Sequence, residues 1–370
     1  MQARQLLATI DPKYRPAWEG KSLHDQRAMA MYFLPHRSSK LTLGPTRPRV
    51  VKWYCPFARQ SEFPSGHRYC INVYIGCQHR CEYCYANAYS RPGVSAKPNF
   101  ERMLRKDMDD LERFDLPPAP VHISNSTDPF QSLEADVGHA RTALEEILAH
   151  RSRFTTVTVL TKNPLLAVEL GYIPLFRSLM DLPPGHPNQE EYLREDQPGL
   201  RIEVSLAFWR DEATAAYDVQ APPIQDRIDG IRALRGAEIP LVLRIDPLFP
   251  RSPLGAGSGK ALADFGLVEA QTIEDLTSLV RLARDVGAYH VVYSPAKIVQ
   301  PRGRPHSPTM RAMRQAYESL AAPQKLVFRG GAWRLPSDVS DRYIVGPFLD
   351  VCRREGVRAK HCMQNLLETP

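Results

Sequence analysis

Three cysteines within eight residues constrain this chain more than any other feature. They lie in the string Gly76-Cys77-Gln78-His79-Arg80-Cys81-Glu82-Tyr83-Cys84-Tyr85-Ala86, at a spacing of C-x3-C-x2-C. Three thiolates can hold three irons of a cubane cluster and leave the fourth iron without a protein ligand. An open coordination position is what catalysis at a metal requires. Zinc usually takes four ligands, often from paired C-x2-C knuckles, so a zinc site here would draw on His79 as well. Inert structural thiols are the remaining alternative. Gly76 lets the backbone turn sharply ahead of the first cysteine.

The cysteine string follows an apolar, β-rich segment at 69–75 (YCINVYI). Further strands are predicted at 121–124, 154–160, 201–207, 240–245 and 289–293. Helices are predicted near 102–113, at 140–150, over 165–180 with Pro174 interrupting, at 224–235 before Gly236, and at 273–286 before Gly287. This alternation argues for an α/β fold with a parallel sheet flanked by helices. Such sheets carry their functional groups at the C-terminal ends of the strands. The 33 prolines fall in clusters. Residues 35–64 read as an extended arm, 183–198 as a polar insertion, and 250–259 as a flexible loop.

With 43% hydrophobic and 24% charged residues, the 370-residue chain has an ordinary globular composition. A net charge of +7 permits contact with nucleic acid, an acidic protein or an anionic metabolite, and selects none of them. The basic residues read as scattered, with local groups at Arg102/Arg105/Lys106, Arg302/Arg304 and Arg353/Arg354. The opening MQARQLLATI lacks a signal-peptide pattern, and no window approaches eighteen apolar residues. A cytoplasmic protein without a membrane partner is therefore expected. Three clustered cysteines of seven do not suggest a secreted disulfide framework.

The cysteine spacing, with an aromatic before the third cysteine, resembles the radical S-adenosylmethionine (radical SAM) superfamily. Within it, G-C-x-H-x-C-x-Y-C-Y-A resembles the spore photoproduct lyase-like branch. Thr127-Asp128-Pro129-Phe130-Gln131-Ser132-Leu133-Glu134 and Thr161-Lys162-Asn163 match two further strings of that branch. The resemblance covers roughly residues 66–300. It implies a partial (β/α)6 TIM-type barrel at 66–300, with an N-terminal Pro-rich arm at 1–65 and a C-terminal extension at 301–370.

The resemblance also implies cofactors and roles. A [4Fe–4S] cluster on Cys77, Cys81 and Cys84 would bind S-adenosylmethionine at its open iron and cleave it to a 5′-deoxyadenosyl radical. That radical would abstract hydrogen from a substrate. Electrons would come from a donor such as flavodoxin or ferredoxin. Tyr83 would lie near the adenine. Ser126 and Asp128, at the end of the second strand, would face the methionine amino group. Lys162 would pair with the methionine carboxylate, and Ser205 would approach the same ligand. Arg244 would face the ligand or pair with Asp246, and Val292 and Tyr293 would flank the adenine or belong to the core.

One departure matters. Spore photoproduct lyases place a hydrogen-donating cysteine about three residues before the aspartate matched by Asp128, and Asn125 stands there. Repair of the spore thymine dimer is therefore not expected, and the substrate stays open between nucleic acid, a peptide and a small biosynthetic molecule. A nucleic-acid-binding protein with a structural iron–sulfur or zinc site is the non-enzymatic alternative. Cys55, Cys70, Cys352 and Cys362 are either ordinary buried thiols or ligands of an auxiliary cluster. Cys362 is also a candidate catalytic thiol. Trp53, Tyr54 and Trp333 are candidates for nucleobase stacking, with the core as their commoner place.

Overall fold

The computed structural model describes residue 19 and residues 49–52, 69–89, 93–114, 118–181, 199–255 and 259–362. Most of the Pro-rich arm, including Trp53, Tyr54 and Cys55, lies outside the described residues, as does the insertion at 183–198.

The strands in chain order are β1 (Val51–Lys52), β2 (Tyr69–Ile71), β3 (Tyr74–Ile75), β4 (Ser95–Ala96), β5 (Ala119–Ile123), β6 (Phe154–Thr161), β7 (Leu200–Ser205), β8 (Leu241–Leu248), β9 (Val291–Pro295), β10 (Ile298–Val299), β11 (Val327–Arg329), β12 (Ala332–Arg334) and β13 (Ala359–His361). Eight of them form one sheet in the order β1-β2-β5-β6-β7-β8-β9-β13. All neighbours in it are parallel except β1, which pairs antiparallel with β2. The order follows the chain, as successive right-handed crossovers through helices produce. Among the described residues the sheet does not close, so the expected βα succession is present without a closed barrel.

Each predicted strand is present, with shifted ends. The segment at 69–75 splits into β2 and β3, because the chain leaves the sheet at Asn72. The helix predicted over 165–180 is two helices, Pro164–Glu169 and Ile173–Met180. The break comes at Gly171, whose φ is 71°, and Pro174 sits in the first turn of the second helix. There its missing N–H removes no hydrogen bond.

Strand pairing sets the chemistry of the two sheet faces. Ile71, Ile123, Val159 and Ile202 continue in register with Leu241 across the sheet. On this apolar face Tyr293 packs its ring 5.4 Å or less from its neighbours, including Phe348 of helix Gly346–Arg354 at 5.3 Å. The alternate positions are mostly polar, with Leu160, Val242 and Val292 among them. Cys70, His122, Thr158 and Arg201 pair in one row, and Ser205, Arg244, Val292 and Lys360 in another. Most of this polar face is buried. The C-terminal segment therefore adds β13 to the main sheet and also forms the small sheet β10-β12-β11. Among the described residues no helix is long and apolar enough to cross a membrane.

Gly76 makes the exit from β3 with a φ of 72°, and a Cβ there would overlap the Gly93 carbonyl oxygen. Gly76→Ala adds both a strained backbone and a clash, so it should destabilise the protein by more than ~1 kcal/mol. Urea unfolding midpoints check this; an unchanged midpoint would show that the loop relaxes freely.

Candidate functional site

The cysteine loop runs from β3 into the short helix Tyr85–Ala88. Cys81 is buried, and Cys77 and Cys84 are partly so. Burial pushes the Cys77 thiol up to about 12, helped by the nearby Asp128 charge. Burial likewise raises Cys81 and Cys84. Cys81 feels the charges of both other cysteines, and Lys162 acts on all three in the opposite direction. Backbone N–H groups also point at the sulfurs: that of His79 at Cys77, and those of Ala86 and Asn87 at Cys84.

The Thr127–Glu134 string holds this loop in place. Thr127 donates its hydroxyl to the Gly76 carbonyl at 2.5 Å. Gln131 Oε1 accepts the Gln78 N–H at 2.8 Å, and Gln78 Oε1 accepts the Leu133 N–H at 3.0 Å. Asp128 accepts from the Lys162 N–H at 2.6 Å, the Thr161 hydroxyl at 2.7 Å and the Phe130 N–H at 2.9 Å. Phe130 and Thr161 share Oδ1, and His79 Nε2 lies 2.9 Å from Oδ2, the oxygen that takes the Lys162 N–H. Burial alone would raise the Asp128 pKa, but His79 and these hydrogen bonds hold it below the usual carboxylate range. Asp128 is thus engaged by protein donors around both oxygens. Glu134 ends the string buried, accepting from the Ala140 and Arg141 N–H groups and from the Tyr74 and Tyr172 hydroxyls.

Behind the cysteines lies a second network. The Lys162 ammonium donates to the Tyr83 hydroxyl at 2.9 Å, Ser205 Oγ at 3.1 Å and Asp218 Oδ2 at 3.1 Å. Tyr83 donates to Asp218 and packs edge-on against Phe208 and Phe249. Arg227, fully buried, donates to Asp218 Oδ2 at 2.9 Å. Burial would raise the Asp218 pKa; Lys162 and Arg227 outweigh it and keep the carboxyl ionised far into acid.

Tyr83, Lys162 and Ser205 therefore meet beside the cysteines. Ser126 stands apart, its hydroxyl 2.8 Å from that of Tyr89 and its N–H on Asn72 Oδ1. Arg244 does pair with Asp246, at 2.7 Å, and also with Glu203 at 2.6 Å and Cys362 Sγ at 2.8 Å. Val292 and Tyr293 are both buried in strand β9. Cys70 accepts a hydrogen bond from Asn125 Nδ2 at 3.0 Å, and Cys352 is buried in the core. Sequence reasoning missed Asp218, Arg227 and Glu203. Only Glu203 left a signal, as a charged residue inside an apolar alternation.

The donors fit an iron–sulfur cluster. Three soft thiols share one loop, N–H groups face two of them, and His79 is engaged by Asp128. Among the described residues no three His, Cys, Asp or Glu side chains are grouped for a single ion. A single zinc needs its ligands within about 4 Å of one another, whereas a cubane takes each thiolate on a different iron.

No family model matches the chain. It is 24% identical over 187 residues to an uncharacterized protein of Methanocaldococcus jannaschii, covering 50% of this chain and 62% of that protein. It is 28% identical over 197 residues to an uncharacterized protein of Mycobacterium tuberculosis, covering 50% of each. The chain thus spans between half and two thirds of these curated relatives. Its structural neighbours include spore photoproduct lyase complexed with dinucleoside spore photoproduct, at a TM-score of 0.49 and 14% identity, covering 84% of this chain and 77% of that one. A radical SAM methyltransferase from Sphaerobacter thermophilus aligns at a TM-score of 0.43 and 14% identity, covering 81% and 67%.

Asp218→Asn should destabilise the fold by about 3–5 kcal/mol at neutral pH, because Arg227 and Lys162 lose a buried counter-charge. The Asp218 contribution is complete above the unfolded-state pKa of about 3.9. It is lost as pH falls through the depressed folded-state value. The gap between wild type and variant should therefore narrow below about pH 4. Urea midpoints across that range check it; a gap that stays constant into acid would contradict the assignment.

Proposed function

We propose that this chain is a radical SAM enzyme whose [4Fe–4S] cluster is held by Cys77, Cys81 and Cys84. The supporting observation is the shared loop: three thiols that act on one another's charge, with Lys162 beside them and His79 engaged by Asp128. The motif resemblance in the loop, in Thr127–Glu134 and at Lys162 supports the same reading. We take the open, mostly parallel sheet as a partial barrel whose polar face is its interior.

When bound, the cluster and S-adenosylmethionine supply a reductive C–S cleavage that yields a 5′-deoxyadenosyl radical for hydrogen abstraction. The chain's residues do the rest. Lys162 offers its ammonium to the methionine carboxylate by exchanging one of its three present acceptors, Tyr83, Ser205 and Asp218, for it. Asp128 supports the loop through its protein donors. Tyr83 closes one wall with Phe208 and Phe249. Arg244 is held by Glu203, Asp246 and Cys362, and Ser126 by Tyr89 and Asn72, so neither is given a ligand contact. Buried apolar walls keep water from the reacting atoms. The substrate is a nucleic acid, a peptide or a small biosynthetic molecule that reaches the polar face.

Anaerobic reconstitution with iron and sulfide should load about four irons per chain. The loaded, reduced protein should release 5′-deoxyadenosine from S-adenosylmethionine. Cys81→Ser should lose both cluster and release. A fully loaded cluster that yields no deoxyadenosine would sink the reading. Lys162→Ala should keep its iron and weaken S-adenosylmethionine binding at least tenfold, the effect of losing a charged hydrogen bond worth about 1.5–3 kcal/mol. Equilibrium binding to the reconstituted protein measures this.

A further inference from the structure

The positive charge of this protein is concentrated in one segment. Residues 286–337 carry eight Lys or Arg against a single acid, Glu318. That is a local net charge of +7, equal to the charge of the whole chain, so the remaining sequence is neutral. The basic residues are not scattered once acidic neighbours are counted.

This segment is fastened to the cysteine loop. The Arg302 N–H donates to the Asn87 carbonyl at 3.0 Å, and the Arg304 guanidinium to Asn87 Oδ1 at 2.7 Å. Ser307 donates to the Glu82 carboxylate. Glu82 and Asn87 flank Cys84 on its two sides. The Gln300 N–H bonds to the Gly331 carbonyl at 2.9 Å, which joins the hairpin of β11 and β12 to the stretch that leads from β10 to Arg302.

The exposed side of the segment has the form of a docking surface. Phe328, 52% exposed, packs against Trp333 at 4.7 Å, and the Arg314 guanidinium lies 4.4 Å from the Trp333 ring centre. Arg302, Lys325 and Arg329 of the same segment are also exposed. Among the described residues only Arg314 of the eight cations has an ion pair, with Glu318. Arg334 even donates to the carbonyl of Arg329, setting two like charges side by side. An aromatic centre with an unneutralised basic rim suits an acidic partner: charge steers the encounter and the apolar contact holds it.

We propose that this basic face docks an acidic one-electron carrier protein, which delivers its electron through the adjoining cysteine loop. The proposal rests on the radical SAM reading. The reduced carrier loses one electron and the cluster gains it. Electron-transfer encounters use small, transient interfaces, and this face reaches the cysteine loop through direct hydrogen bonds at Asn87. A nucleic acid would also meet the charge, but it would not need that attachment.

The test uses full-length reconstituted protein and a reduced flavodoxin as the acidic probe. The variant Arg302→Glu/Lys325→Glu/Arg329→Glu reverses the face. Arg102→Glu/Lys106→Glu/Arg354→Glu applies the same change in total charge elsewhere. Flavodoxin binding should weaken at least tenfold in the first variant and much less in the second, and wild-type binding should fall steeply with salt. Flavodoxin-driven deoxyadenosine release should drop with it, while dithionite-driven release stays at the wild-type rate. Equal flavodoxin binding by wild type and the face variant overturns the proposal. So does loss of binding to a labelled oligonucleotide with flavodoxin binding intact, which would make the face a nucleic-acid surface. No release with dithionite in any protein would instead remove the radical SAM reading, and the binding titration would still judge the face.

Discussion

The Asp128 carboxylate ties the cysteine loop to the sheet. Its Oδ1 takes the Thr161 hydroxyl at the end of β6 and the Phe130 N–H of its own turn, and its Oδ2 meets the Lys162 N–H and His79. Its ionised state is favoured because the partners together stabilise the anion more than burial penalises it. Thr127 and Gln131 add hydrogen bonds to the loop backbone at Gly76 and Gln78. A loop carrying one buried and two partly buried thiols has little regular hydrogen bonding of its own, so side chains from the neighbouring strand end supply it. The string that looks like a ligand-binding motif is, in its contacts, largely a clamp for the cysteine loop.

That clamp adjoins a dense charge network. Lys162, Asp218 and Arg227 form one buried group, and Arg201, Glu203, Arg244 and Asp246 another along the polar face. Buried ion pairs add little net stability against well-packed apolar residues, because desolvation offsets the attraction. What such groups do well is hold side chains at defined positions once their hydrogen bonds are complete. Lys162 illustrates this: three acceptors fix its ammonium between Tyr83, Ser205 and Asp218.

The two faces of the sheet account for both properties. Alternating side chains send apolar residues against the helices and polar residues to the other side. The apolar face supplies the core around Ile123, Val159, Ile202 and Leu243. The polar face gathers groups from β5, β7, β8 and β9 that are far apart in sequence. Cys362 reaches the same region from the end of β13, beside Arg244.

The sequence alone determined the βα succession, the cysteine loop and the need for glycine at position 76. These are local properties: periodicity, spacing and backbone freedom are visible within a short window. The tertiary structure decided what the polar residues touch. Asp218 and Arg227 stand in an unremarkable loop and helix, and only folding brings them to Lys162 and Tyr83. Arg302 and Asn87 are likewise more than two hundred residues apart and meet only in the fold. Charge and hydrogen-bond partners depend on distances in space, and sequence spacing does not encode them.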